Sequence, residues 1–158
     1  MLNVASIVDG TDYQRSVIEW ICRLKNLPVL SVPKPDKTKP IQFHYRDSVF
    51  EGFATTLLFI DTKHPAPEML IGEPETRAHL FMLALAIANP AGSPSGDIDY
   101  LLEATKTADP FLLGNIISLA DMLVMPMIDD LDCGPYKSTL LRATRAWNES
   151  SSSSSPQH

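Results

Sequence analysis

The stretch Pro33-Lys34-Pro35-Asp36-Lys37-Thr38-Lys39-Pro40 is polar and broken by three prolines, so it cannot hold a helix. Strand-like runs stand on both sides of it. Leu2 to Val8 is short and apolar, and Asp9-Gly10 closes it as a turn does. Pro28 to Val32 is a second strand. Ile41 to Tyr45 alternates apolar and polar side chains, Arg46-Asp47 suits a hairpin turn, and Ser48 to Phe50 returns. The stretch therefore joins two strands directly, without a crossover helix.

Helices flank this strand set. From Tyr13 to Lys25, Val17, Ile21 and Leu24 recur at helical spacing, with Asp12 as a cap and Asn26 and Pro28 as the stop. Glu51 to Asp61 reads as a helix with Phe53, Leu57, Leu58 and Ile60 apolar. The order is β-α-β-β-β-α. Beyond the proline-bearing run Lys63 to Gly72 the strand signal disappears. Helices are expected over Glu73 to Asn89, Asp97 to Thr107, Ser118 to Asp130 and Pro135 to Trp147, with a loop at Pro90 to Gly96. The tail NESSSSSSPQH is low-complexity and polar and is expected to be disordered.

Composition narrows the function classes. An apolar fraction of 44% supplies a core, while a net charge of -6 argues against a binder of nucleic-acid phosphates. The longest apolar stretch, Ala78 to Ala88, falls short of the ~20 residues a membrane helix needs. The N-terminus reads as a strand and not as a signal peptide. Cys22 and Cys133 lie far apart with no CxxC spacing, which fits free thiols in a reducing compartment and predicts a cytoplasmic protein. His44, His64 and His79 lack metal-ligand spacing, so no metal site is expected. Met122, Met125 and Met127 could form an adaptable surface but read rather as core filler, and Cys22 as a small packed apolar residue.

Several local patterns carry a resemblance. Val49-Phe50-Glu51-Gly52 runs into an apolar helix and then into His64-Pro65-Ala66-Pro67-Glu68-Met69-Leu70. Phe111-Leu112-Leu113-Gly114-Asn115 leads to Ser118-Leu119-Ala120-Asp121 and then Met125-Pro126. In the second pattern Ser118 and Asp121 have the spacing of a capping box, each side chain accepting from the other's backbone amide. Together these resemble the glutathione transferase superfamily over roughly residues 2 to 147, with the stringent starvation protein A group as near as any catalytic class. The resemblance implies an α/β plus all-α fold. A thioredoxin-like half lacking its second helix would span 1–62, a linker 63–72, a helical half 73–148 and a serine-rich tail 149–158.

The resemblance also assigns candidate residues. A hydroxyl near the end of the first strand would activate the glutathione thiol; Ser6, Thr11 and Tyr13 are the candidates, with Ser6 at the family's distance. Pro40, eleven residues before Glu51, stands where the family places a cis-proline, and Pro40 and Ile41 would offer backbone contacts to glutathione. Glu51 and Gly52 stand for the family's Glu-Ser pair at a helix start, with the amide kept and the hydroxyl lost.

Two readings follow. The missing helix and Gly52 favour a non-catalytic binding or regulatory protein that contacts a protein partner or a second copy, with no cofactor required and glutathione as a possible ligand. The alternative is a small glutathione-dependent transferase or peroxidase using Ser6.

Overall fold

A computed structural model describes residues 4–88, 96–130 and 134–153. Its strands are β1 (Ala5–Val8), β2 (Val29–Ser31), β3 (Gln42–Tyr45) and β4 (Ser48–Glu51); its helices are α1 (Asp12–Leu24), α2 (Phe53–Lys63), α3 (Pro74–Ile87), α4 (Gly96–Ala104), α5 (Leu119–Val124) and α6 (Gly134–Ser153). The strands form one sheet in the order β2-β1-β3-β4, with β1 and β2 parallel and the other pairs antiparallel. A two-residue turn with Arg46 at φ 56° joins β3 to β4, where the sequence places the hairpin. No helix lies between β2 and β3.

Strand parity divides the sheet into two unlike faces. Ala5, Ile7 and Phe43 are fully buried and share a continuous apolar core with Val17, Ile18 and Ile21 of α1. Apart from Ala5, each such side chain, fully buried, stabilises the fold by about 1.5–3 kcal/mol. Phe59 of α2 stacks on Phe50 at 4.0 Å between ring centroids. The other face carries Ser6, Leu30, His44 and Val49 in one register, and Leu30 and Val49 are exposed.

A buried ion pair within the sheet half anchors the segment that leads to the helical half. Lys25, at the end of α1, has a fully buried side chain. Its ammonium donates to Asp61 Oδ1 at 2.9 Å, the His64 carbonyl at 2.5 Å and the Pro67 carbonyl at 2.7 Å, which uses all three of its protons. Asp61 in turn accepts from the Met69 and Leu70 amides at 2.9 and 3.3 Å. The Met69 carbonyl then accepts from the Leu119 amide, the first residue of α5.

Some boundaries differ from the sequence expectations. Thr11, not Asp12, caps α1: its hydroxyl accepts from the Gln14 amide at 3.1 Å, and Gln14 Oε1 accepts from the Thr11 amide. α2 begins at Phe53 because Glu51 still belongs to β4 and Gly52, at φ 100°, turns the corner. The helix expected over Ser118 to Asp130 is α only to Val124. Pro126 has no N–H to continue the ladder, and Met125–Asp130 tightens into a 3-10 turn. Helix α6 continues through Ser153, into the start of the serine run, where the sequence reading ended it at Trp147. The loop expected at Pro90 to Gly96 lies outside the described residues as far as Ser95, as do Cys133 and residues 154–158. Cis peptide bonds occur at Ala66-Pro67 and Asp109-Pro110 among the described residues, so the expectation that Pro40 would be the cis-proline is not met.

Candidate binding cleft

The proline-broken segment is docked on the turn that follows β1. Asp9 and Gly10 both have positive φ, at 58° and 87°. A Cβ on Gly10 would meet the Ile41 Cβ at 2.6 Å, so only glycine lets the two backbones come this close. The Gly10 amide donates to the Asp36 carbonyl at 3.2 Å, and the Asp36 amide donates to Asp9 Oδ1 at 2.9 Å. On the surface, Lys37 reaches Asp12 at 2.9 Å, and that hydrogen bond holds the Asp12 carboxyl below its ordinary value.

This docking builds one wall of a cleft of about 370 Å³. Thr38, Lys39, Pro40 and Ile41 line it on that side, and Gln14 of α1 lies at its base. The start of α2, Gly52 to Ala54, lines it opposite, and Leu85 and Ala88 approach from the helical half. The Gly52 amide donates to the Ile41 carbonyl at 2.7 Å, but no side chain caps α2. The first residues of α2 thus bring to the cleft lining a helix N-terminus with its partial positive charge and no side-chain cap. Gln14 is buried and committed: its Nε2 donates to the Ala88 carbonyl at 2.6 Å, fixing the sheet half to the helical half at the cleft.

The candidates separate under this geometry. Pro40, Ile41 and Gly52 come together in the cleft lining. Glu51 does not; it is exposed on the open sheet face, within 3.4 Å of Gln42. Ser6 does not either, because its parity in β1 turns it to that same face, between Leu30 and His44. Tyr13 donates its hydroxyl to the Leu123 carbonyl at 2.5 Å, and burial pushes its phenol pKa well above the ordinary value. Thr11 is engaged as the α1 cap. Gln14 and Lys39 went unnoticed in the sequence. The Thr11-x-x-Gln14 spacing of a capping box was a readable signal for the first; nothing local marks the second.

Ser118 and Asp121 form the expected cap at α5. Asp121 Oδ2 accepts from the Ser118 amide at 3.0 Å, and the Ser118 hydroxyl accepts from the Ala120 amide at 3.3 Å. The Asp121 carboxylate also takes the Leu112 amide at 3.1 Å and the Tyr136 hydroxyl at 2.7 Å. Burial raises its pKa, and these hydrogen bonds oppose the rise. Cys22 is buried, with its thiol pushed up to about 12, mainly by desolvation. Met122 and Met125 are core residues, as read, while Met127 is only partly buried and packs against that core. No group of His, Cys, Asp and Glu that could hold a metal ion occurs among the described residues, and none of their helices is long and apolar enough to cross a membrane.

No protein-family model matches the sequence, and no curated protein matches it. Solved structures do. A glutathione transferase homologue from Burkholderia with bound glutathione superposes with a TM-score of 0.61 at 16% identity, over 97% of this chain and 100% of that one. A theta class glutathione S-transferase from Xanthomonas axonopodis, also with glutathione bound, gives 0.58 at 13% identity over 94% and 92%. A maleylacetoacetate isomerase from Anaeromyxobacter dehalogenans with bound dicarboxyethyl glutathione gives 0.56 at 17% identity over 90% and 86%. Identities this low speak to architecture alone. The chain has the glutathione transferase fold, without a helix between β2 and β3.

Proposed function

We propose that this is a non-catalytic binding protein on the glutathione transferase fold, holding glutathione in the cleft between Pro40-Ile41 and the start of α2. One observation carries the reading: among the described residues lining the cleft, the only hydroxyl is that of Thr38, and its proton goes to Asp36 Oδ1 at 2.6 Å. Among the described residues, no cysteine, serine or tyrosine lines the cleft to stabilise a thiolate. A carboxylate, by contrast, is served by the uncapped N-terminus of α2 and by Lys39. The solved structures of this fold that hold glutathione support the choice of ligand.

Protein contact is the second half of the proposal. Helix α3 is uninterruptedly apolar from Leu80 to Ile87, yet Met82 is 64% exposed and Leu85 36% exposed, and Leu58 of α2 is 47% exposed. An apolar helix face left in water is a feature of surfaces that meet a partner. A regulatory role through a protein partner or a second copy fits that face.

Calorimetry with glutathione, paired with a conjugation assay against a generic electrophile, tests the proposal. Binding at millimolar concentration or tighter with no turnover is expected. Turnover abolished by Ser6→Ala or Thr11→Ala would establish the transferase alternative in its place.

A further inference from the structure

Two buried side-chain nitrogens find no hydrogen-bond partner among the described residues, Arg15 Nε and His64 Nε2. The second stands at the junction of the two halves. His64 closes α2: its amide donates to the Ile60 carbonyl at 2.9 Å, and its own carbonyl accepts from the buried Lys25 ammonium. Its ring meets Tyr45 of β3 edge-on, with centroids 6.3 Å apart.

The charged groups around this ring are of one effective sign. Lys25 faces it from α1 and Lys63 from α2. Arg46 lies over the Tyr45 ring at 5.3 Å. Asp61, also on α2, is the nearby carboxylate, but it is already taken: Oδ1 by Lys25 and the Met69 amide, Oδ2 by the Leu70 amide. A second proton on the imidazole would therefore sit beside two ammonium groups, with its buried N–H lacking an acceptor.

We propose that His64 makes segment 64–70 a pH-sensitive latch, closed while the ring is neutral and released when the ring takes up a proton. Opening would free the ring to solvent and separate it from Lys25. It would also undo the bonds to the Lys25 ammonium at the His64 and Pro67 carbonyls. The Met69 carbonyl holds the Leu119 amide, so release would carry from the end of α2 to the start of α5. The direction of titration agrees: burial first, then Lys25 and Lys63, lowers the imidazole below its ordinary value of 6.5 in the closed state. The open state regains the ordinary value, so acid favours opening as pH falls below about 6.5.

Amide hydrogen exchange tests the latch on the full chain, with protection factors corrected for intrinsic rates at about pH 7.5 and pH 5.5. The Met69 and Leu70 amides are expected to lose protection by up to about tenfold on acidification, while amides of β1 hold. In His64→Gln, which has no titrating ring, the loss should vanish. Unchanged protection in the wild type, or an equal loss in His64→Gln, would overturn the proposal. The His64 ring proton resonance in the wild-type chain gives a readout that needs no variant. A midpoint below 6.5 is expected, and one at or above it would sink the idea.

Discussion

Lys25 and Asp61 meet at 2.9 Å in the interior, 36 residues apart in sequence, and both use their remaining hydrogen-bonding capacity on the backbone of segment 64–70. The pair therefore does more than neutralise charge. It holds the segment that connects the sheet half to the helical half.

Removing one partner should be costly. Lys25→Met leaves Asp61 buried without its cation and two carbonyls without a donor, and should destabilise by about 3–5 kcal/mol in urea unfolding. The double variant Lys25→Met/Asp61→Leu should recover part of that loss, since no lone charge is then buried. A double variant no more stable than Lys25→Met would contradict this account.

Gly10 and Gly114 both have positive φ, at 87° and 104°, but only Gly10 is crowded. Gly114→Ala should show backbone strain alone, about 1 kcal/mol. Gly10→Ala adds a 2.6 Å approach to Ile41 and should cost clearly more, with loosening of the Pro40-Ile41 wall. Equal midpoints for the two variants in thermal unfolding would argue against the close contact.

The buried Asp121 has a defined pH signature. Its folded-state pKa is raised, so the folded chain binds the proton more tightly than the unfolded one. Its contribution to stability accordingly falls as pH rises from the unfolded value near 3.8 through the folded one. Tyr136→Phe removes a donor that opposes this rise. It should cost about 1 kcal/mol and make the decline with pH steeper. Urea midpoints measured across mildly acid pH check both the size and the sign.

The cleft can be closed to anions without harming the fold. Ala54→Glu places a carboxylate in the first turn of α2, where the helix dipole favours it by about 0.3–1 kcal/mol. Thermal stability should hold or rise while glutathione binding is lost. Ser6→Ala, on the open sheet face, should leave binding unchanged. A Ser6→Ala variant that no longer binds would mean that the ligand sits elsewhere.

Much of the scaffold was legible because short-range rules write it. Proline and turn chemistry delimit the strands, 3.6-residue periodicity marks the helices, and Ser118-x-x-Asp121 announces its own cap. The candidate cleft was legible in part. Pro40, Ile41 and Gly52 were placed by motif, and all three line it.

What the chain's own order determined was thus the succession of strands and helices and the absence of a helix after β2. Tertiary structure alone decided which way each residue faces and what it meets. Ser6 has the expected position along the chain, but strand pairing turns it away from the cleft. Lys25 marks only the end of a helical pattern in the sequence, and the fold surrounds it with Asp61 and two carbonyls. Tyr13 offers a hydroxyl until the Leu123 carbonyl, 110 residues on, claims it. Local propensity is set by neighbours a few residues away, whereas burial and hydrogen-bond partnership depend on distant segments brought together by the fold.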